Sequence, residues 1–159
     1  MEKKELELYI HIPFCVRKCN YCDFLSFPAD EDTQRQYVKA LCKEIFYYGA
    51  HCRDYVVSTV YIGGGTPSWL WESDMAEIMD AVHKNFALLP DAEVSVECNP
   101  GTVTAQKFAV YRQSGINRIS LGLQSAQNVE LKMLGRIHTW EQFLKTYELA
   151  RSGGFSNIN

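Results

Sequence analysis

The sequence predicts an α/β fold built on a parallel sheet. Three observations carry that prediction. Apolar runs of period two alternate along the chain with runs of helical period, the order expected of strand–helix–strand units. Cysteine- or glycine-rich stretches follow the strand runs, where ligand-binding loops gather in such sheets. The 159 residues suffice for one domain with a real core, and the composition is that of a globular protein, 47% hydrophobic and 22% charged.

The elements follow in order. Leu6, Leu8, Ile10 and Ile12 alternate with Glu7, Tyr9 and His11 and predict a first strand. Residues 34–48 place Tyr37, Val38, Leu41, Ile45 and Phe46 on one helical face. VVSTVYI (56–62) predicts a second strand, bounded by Gly63-Gly64-Gly65. Ser73 is the expected cap of a helix carrying Met75, Ile78, Met79, Val82 and Phe86. EVSVE (93–97) alternates again and predicts a third strand. Thr104 opens a helix that stops at Gly115, the residue type favoured just past a helix end. NRISLGL (117–123) predicts a fourth strand, with Gln124 at its end, and a short helix follows at 126–134. Thr139 and Gln142 form a capping box for a helix ending at Gly153-Gly154. FSNIN (155–159) reads as the start of a fifth strand. A domain rarely ends as a strand begins, so residues 1–159 are expected to be the N-terminal portion of a longer protein; the alternative is a short terminal edge strand. On that reading the chain alone exposes an apolar sheet edge and is expected to be unstable or to aggregate.

Charge and composition exclude some classes. The net charge of −3 lacks the basic footprint of a nucleic-acid binder. MEKKELELYIH lacks the apolar core of a signal peptide, and no apolar run reaches membrane-spanning length. A cytoplasmic protein with no integral membrane segment is expected. In that compartment clustered cysteines bind metal or do chemistry more often than they form disulfides.

Cys15, Cys19 and Cys22 form a C-x3-C-x2-C loop after the first strand. Three thiolates suit a [4Fe–4S] cluster, leaving one iron open to a small molecule. The alternative is a structural zinc site, with Cys98 or His11 as fourth ligand. Arg17 and Lys18 add positive charge, either for an anionic cluster or as solvated surface. Gly63-Gly64-Gly65-Thr66-Pro67 could turn backbone N–H groups toward a ligand; it is neither a phosphate-binding loop with Gly-Lys-Ser/Thr nor a dinucleotide fingerprint. Glu97 could bind an ammonium group or ribose hydroxyls, Gln124 a ribose or amino group, and Arg136 a carboxylate through its planar fork. Taken singly, each is more often an ordinary surface residue. Tyr9 and His11 share one face of the first strand. Cys42 reads as core, Cys52 as loop, and the aromatic residues of FYYG as core or helix flank.

Taken together and in order, LYIHIPFCVRKCNYCDF, YIGGGTPS, VECNPG, ISLGLQS and LGRIH resemble the radical S-adenosylmethionine (radical SAM) superfamily. Within it they are similar to the oxygen-independent coproporphyrinogen III oxidase-like family, which has a HemW-like heme-chaperone branch. The resemblance covers almost the whole chain. It implies a partial, open (β/α) barrel, truncated at the start of the fifth strand, in which a family aspartate would follow Asn159. It implies that Cys15, Cys19 and Cys22 hold three irons and that S-adenosylmethionine chelates the fourth. Tyr9, Gly64, Gly65, Thr66, Glu97, Gln124 and Arg136 match family positions that contact S-adenosylmethionine. The family can hold a second such molecule, to which Gly65, Thr66, Gln124 and Arg136 can belong. The implied chemistry is reductive cleavage of the cofactor to methionine and a 5′-deoxyadenosyl radical, which takes hydrogen from a substrate. A flavodoxin or ferredoxin is the implied electron donor, and heme or a porphyrinogen the implied partner, with a homodimer possible in this family. The oxidases carry a further cysteine two positions after the third; here that position is Phe24, the pattern of the heme-chaperone branch. The runner-up is therefore the oxidase, and the reading from another class is the zinc-binding module.

Overall fold

The computed structural model describes residues 4–159. Five strands run in the order β1-β2-β3-β4-β5, every neighbouring pair parallel. They are β1 (Lys4–Ile12), β2 (Tyr55–Gly64), β3 (Leu88–Cys98), β4 (Arg118–Leu121) and β5 (Asn157–Ile158). Sequential parallel order without reversal is the arrangement of a barrel wall and not of a doubly wound sheet. The wall is open, with β1 at one edge and β5 at the other.

The main helices are α1 (Glu31–His51), α2 (Glu72–Asn85), α3 (Ala105–Gln113), the short α4 (Asn128–Met133) and α5 (Trp140–Ser152). α1 packs on α2, α2 on α3, and α3 on α5, so they form one layer against one face of the sheet. The core lies between the layers. Ile10, Ile12, Val60, Ile62, Val94, Val96, Ile119 and Leu121 face Val38, Ile78, Met79, Val82, Phe108 and Phe155. The opposite sheet face is polar, carrying Tyr9, His11, Tyr61, Ser95, Glu97, Arg118 and Ser120. This explains why the strands alternate, where a parallel strand covered on both faces reads as one apolar run.

Several caps are as expected. Thr104 accepts from Lys107 N, Gly115 has φ +88°, and Thr139 with Gln142 forms both hydrogen bonds of the capping box. Others are corrected. α2 starts at Glu72 with Trp71 as its N-cap and no side-chain cap, so Ser73 lies inside the helix. A short 3-10 turn at Pro67–Trp69 and the fully buried Leu70 set that start. α1 is longer than 34–48, because Asp30 caps it by accepting from Thr33 N. Phe46 is 66% exposed, with Tyr47 and Tyr48 beside it. The buried stripe of α1 is Gln34, Val38, Ile45 and Gly49, and Phe46 sits one residue, about 100°, past it. At Gly49 a Cβ would lie 2.6 Å from the Asn85 carbonyl oxygen, so glycine permits α1 to meet the end of α2. β4 ends at Leu121, leaving Gln124 in the loop beyond it.

Candidate functional site

The cysteine loop is an excursion clamped at its neck. Phe14 and Phe27 form a parallel bridge, with Phe27 N donating to Pro13 O at 2.9 Å and Cys15 N to Phe27 O at 3.2 Å. Its far side docks on the turn after α4. Asn20 donates from its backbone N to Leu134 O and from Nδ2 to Met133 O, and Arg17 Nη2 donates to Gly135 O at 2.8 Å. Gly135 has φ +75°, and a Cβ there would lie 2.8 Å from Asn20 Oδ1. Arg17 is thus an anchor of the loop. Lys18 donates to Phe24 O at 3.0 Å.

A cavity of ≈ 300 Å³ opens at the C-terminal ends of β1–β4. Cys15, Cys19 and Cys22 line it together with Gly64, Gly65, Thr66, Glu97, Gln124 and Arg136. Tyr9 lies outside this lining. It stacks on Tyr61, ring centroids 6.2 Å apart, and Tyr61 donates to Glu97 Oε1 at 2.8 Å. Gly64 N donates to Glu97 Oε2 at 3.0 Å, so both carboxylate oxygens are oriented.

The glycines act by close approach. Gly65 N and Thr66 N donate to Ile12 O and Phe14 O, and with Gly64 N on Glu97 these N–H groups are already committed within the protein. This corrects the expectation of a free N–H pocket. Gly64 has φ +115°, and a Cβ there would lie 2.5 Å from the His11 ring. Gln124, at φ +71°, is the one non-glycine residue in the left-handed region among the described residues, a conformation that costs about 1 kcal/mol. Backbone strain of that kind clusters at ligand-binding and active sites.

Two cavity residues point hydrogen-bond donors at cysteine sulfur. Thr66 Oγ1 lies 3.4 Å from Cys15 Sγ, and Arg136 Nη1 lies 3.7 Å from Cys19 Sγ. Arg136 Nη2 donates to Asn99 Oδ1 and Gly122 O, while its buried Nε has no protein partner. Sequence reasoning missed Asn99, Asn20 and Gly122 as parts of the site. The first stands in the quoted VECNPG motif, but only the fold brings it to Arg136.

Three cysteine thiols on one loop are the donor type that an iron–sulfur cluster takes. Among the described residues no three His, Cys, Asp or Glu side chains converge on a single-ion point. An iron–sulfur cube spreads its three thiolates over three metals. Neither proposed fourth zinc ligand is free. His11 uses Nδ1 with Tyr9 Oη and Nε2 with Leu25 O. Cys98 is buried, and desolvation pushes its thiol up to about 12, which keeps it protonated at neutral pH. Cys42 packs against the core as expected, and Cys52 caps the end of α1.

This fold and site define a class. Residues 9–159 match the family described as the radical SAM superfamily, and the chain belongs to that superfamily. Within it the chain is 42% identical over 155 residues to the heme chaperone HemW of Escherichia coli, covering 97% of this chain and 41% of that protein. It is 35% identical over 154 residues to the heme chaperone HemW of Bacillus subtilis, covering 95% and 40%. The chain thus spans about two-fifths of the length of these curated relatives. Among solved structures, the radical SAM enzyme coproporphyrinogen III oxidase (HemN) of Escherichia coli superposes with a TM-score of 0.90. The identity is 30%, over 99% of this chain and 36% of that one. Among the described residues no helix is long and apolar enough to cross a membrane.

Proposed function

We propose that this chain is the cluster-carrying, N-terminal part of a HemW-like heme chaperone. Cys15, Cys19 and Cys22 hold a [4Fe–4S] cluster, and S-adenosylmethionine occupies the cavity beside it. One observation carries the reading: the three loop thiols open into the same cavity as an oriented carboxylate, a strained glutamine and a fixed guanidinium. When bound, cluster and cofactor supply one-electron reductive chemistry. The chain's own part is positional. Glu97, held by Tyr61 and Gly64, accepts from ammonium or hydroxyl groups. Gln124 offers a side-chain amide at the cavity wall. Gly65 lets the backbone of Ile12 and Phe14 pack against it and so seats the start of the cysteine loop, and Thr66 and Arg136 face the sulfurs. Tyr9 acts through Tyr61 in this arrangement and reaches a ligand only at the cavity rim.

Heme binding and delivery, a flavodoxin or ferredoxin as electron donor, a homodimer and a cytoplasmic location complete the proposal. Phe24 at the cavity wall, where the oxidases carry cysteine, favours the chaperone branch. The superposition on coproporphyrinogen III oxidase keeps that enzyme as the second reading.

The test is anaerobic reconstitution of the full-length protein with iron and sulfide, followed by electron paramagnetic resonance with and without S-adenosylmethionine. A [4Fe–4S]⁺ signal that changes on adding the cofactor, and is lost in Cys15→Ala, is expected. Heme titration and a coproporphyrinogen conversion assay then separate the two readings. Tightly bound zinc without labile sulfide would sink both.

A further inference from the structure

We infer that Asn99 is a positioning residue for the cluster ligands: its side-chain amide ties together the two donors that reach the sulfurs of Cys15 and Cys19. The inference rests on the cluster reading above and deepens it.

The hydrogen bonds have a direction that the chemistry dictates. Arg136 can only donate, so its Nη2, 2.7 Å away, requires the carbonyl oxygen of Asn99 on that side. The amide nitrogen then faces Thr66, and Asn99 Nδ2 donates to Thr66 Oγ1 at 2.9 Å. That contact occupies a lone pair of the hydroxyl and leaves its proton for Cys15 Sγ, 3.4 Å away. On the other side, Arg136 Nη2 is shared between Asn99 and Gly122 O at 2.8 Å. Fixing one terminal nitrogen of a planar guanidinium orients the other, and Nη1 faces Cys19 Sγ. A connected path therefore links Cys15 to Cys19 through Thr66, Asn99 and Arg136, with donation running outward from Arg136 toward both sulfurs.

The surroundings are built for this path. A Cβ on Gly122 would lie 2.8 Å from Asn99 Oδ1 and 3.3 Å from Arg136 Nη2, so glycine leaves the room that the pair occupies. The backbone of Asn99 is held separately. Its N donates to Ser68 Oγ at 3.1 Å, and its O accepts from Thr102 N and Oγ1. The side chain is thus not needed to hold the loop and is free for the thiolate donors.

Donors to ligand sulfur favour the reduced, more negative cluster and raise its potential. The experiment uses the full-length protein with its reconstituted cluster, comparing wild type with Asn99→Leu, Thr66→Val and the double variant. Iron and labile sulfide are counted, and the potential is read by a redox titration followed by electron paramagnetic resonance. Each single change is expected to leave cluster content intact and to shift the reduction equilibrium toward the oxidised form about tenfold, about 59 mV for a one-electron couple. The double variant is expected to match Asn99→Leu, because Asn99 acts on Cys15 through Thr66. Asn99→Ala, which only removes atoms, replaces Asn99→Leu if the larger side chain distorts the loop. A wild-type potential in both Asn99 variants overturns the role of Asn99 and leaves the cluster reading standing. A wild-type protein without labile sulfide overturns the cluster reading and this inference with it.

Discussion

His138 is buried beside the site, and acid should reveal it. The residue is 4% exposed, with Nε2 3.2 Å from Leu123 O. Burial, reinforced by the positive charge of Arg136, lowers its pKa from 6.5 to about 4, against a small opposing effect of the Leu123 carbonyl. The unfolded chain therefore binds the proton first as the pH falls. Between about pH 6.5 and pH 4 the unfolded state holds more protons than the folded one, so stability declines through that window and is fully retained above it. The drop from 6.5 to about 4 corresponds to about 3 kcal/mol at its limit, of which about 2 kcal/mol is lost by pH 5. Protein with isotope-labelled histidine rings would be titrated by NMR, with His138→Gln assigning the resonance. Chemical unfolding at pH 7.5 and pH 5 would follow for both proteins. The variant should lose about 2 kcal/mol less than wild type between the two conditions. A His138 midpoint near 6.5, or equal acid losses in the two proteins, would refute the reasoning.

Two further substitutions test the walls of the cavity. Tyr61→Phe removes the donor to Glu97 Oε1 and leaves the carboxylate held by Gly64 N alone. Isothermal titration of the reconstituted protein should show S-adenosylmethionine binding weakened by about 1 kcal/mol, roughly fivefold; unchanged affinity would remove Tyr61 from the orientation of Glu97. Gly64→Ala combines a left-handed backbone with a Cβ against the His11 ring, which is itself pinned through both nitrogens. It should cost about 3 kcal/mol in a urea unfolding experiment, and a loss below about 1 kcal/mol would mean that His11 moves aside freely.

The period-two runs of β1 and EVSVE, the capping box at Thr139 and the glycine after α3 were legible in sequence because each is a local property of the backbone and its nearest side chains. The cysteine spacing and the loops after the strands were legible for the same reason, and with them the parallel α/β class and the strand ends at which the cavity opens. Strand and helix ends were less so. Ser73 is not the cap because the 3-10 turn at Pro67–Trp69 and the buried Leu70 set the start of α2. Phe46 is exposed because the buried stripe of α1 depends on how α1 meets α2, through Gly49 and the ion pairs of Arg35 with Asp74 and Glu77.

What the sequence alone determined is the set of chemical groups and the order in which the strands deliver them. What only the tertiary structure decided is their pairing. Arg136 reaches Cys19 across 117 positions of chain, and Thr66 reaches Cys15 across 51. Such contacts have no local periodicity to betray them. They exist because parallel strands in register bring four loop ends to one rim, and hydrogen bonds at that rim select partners by distance and direction.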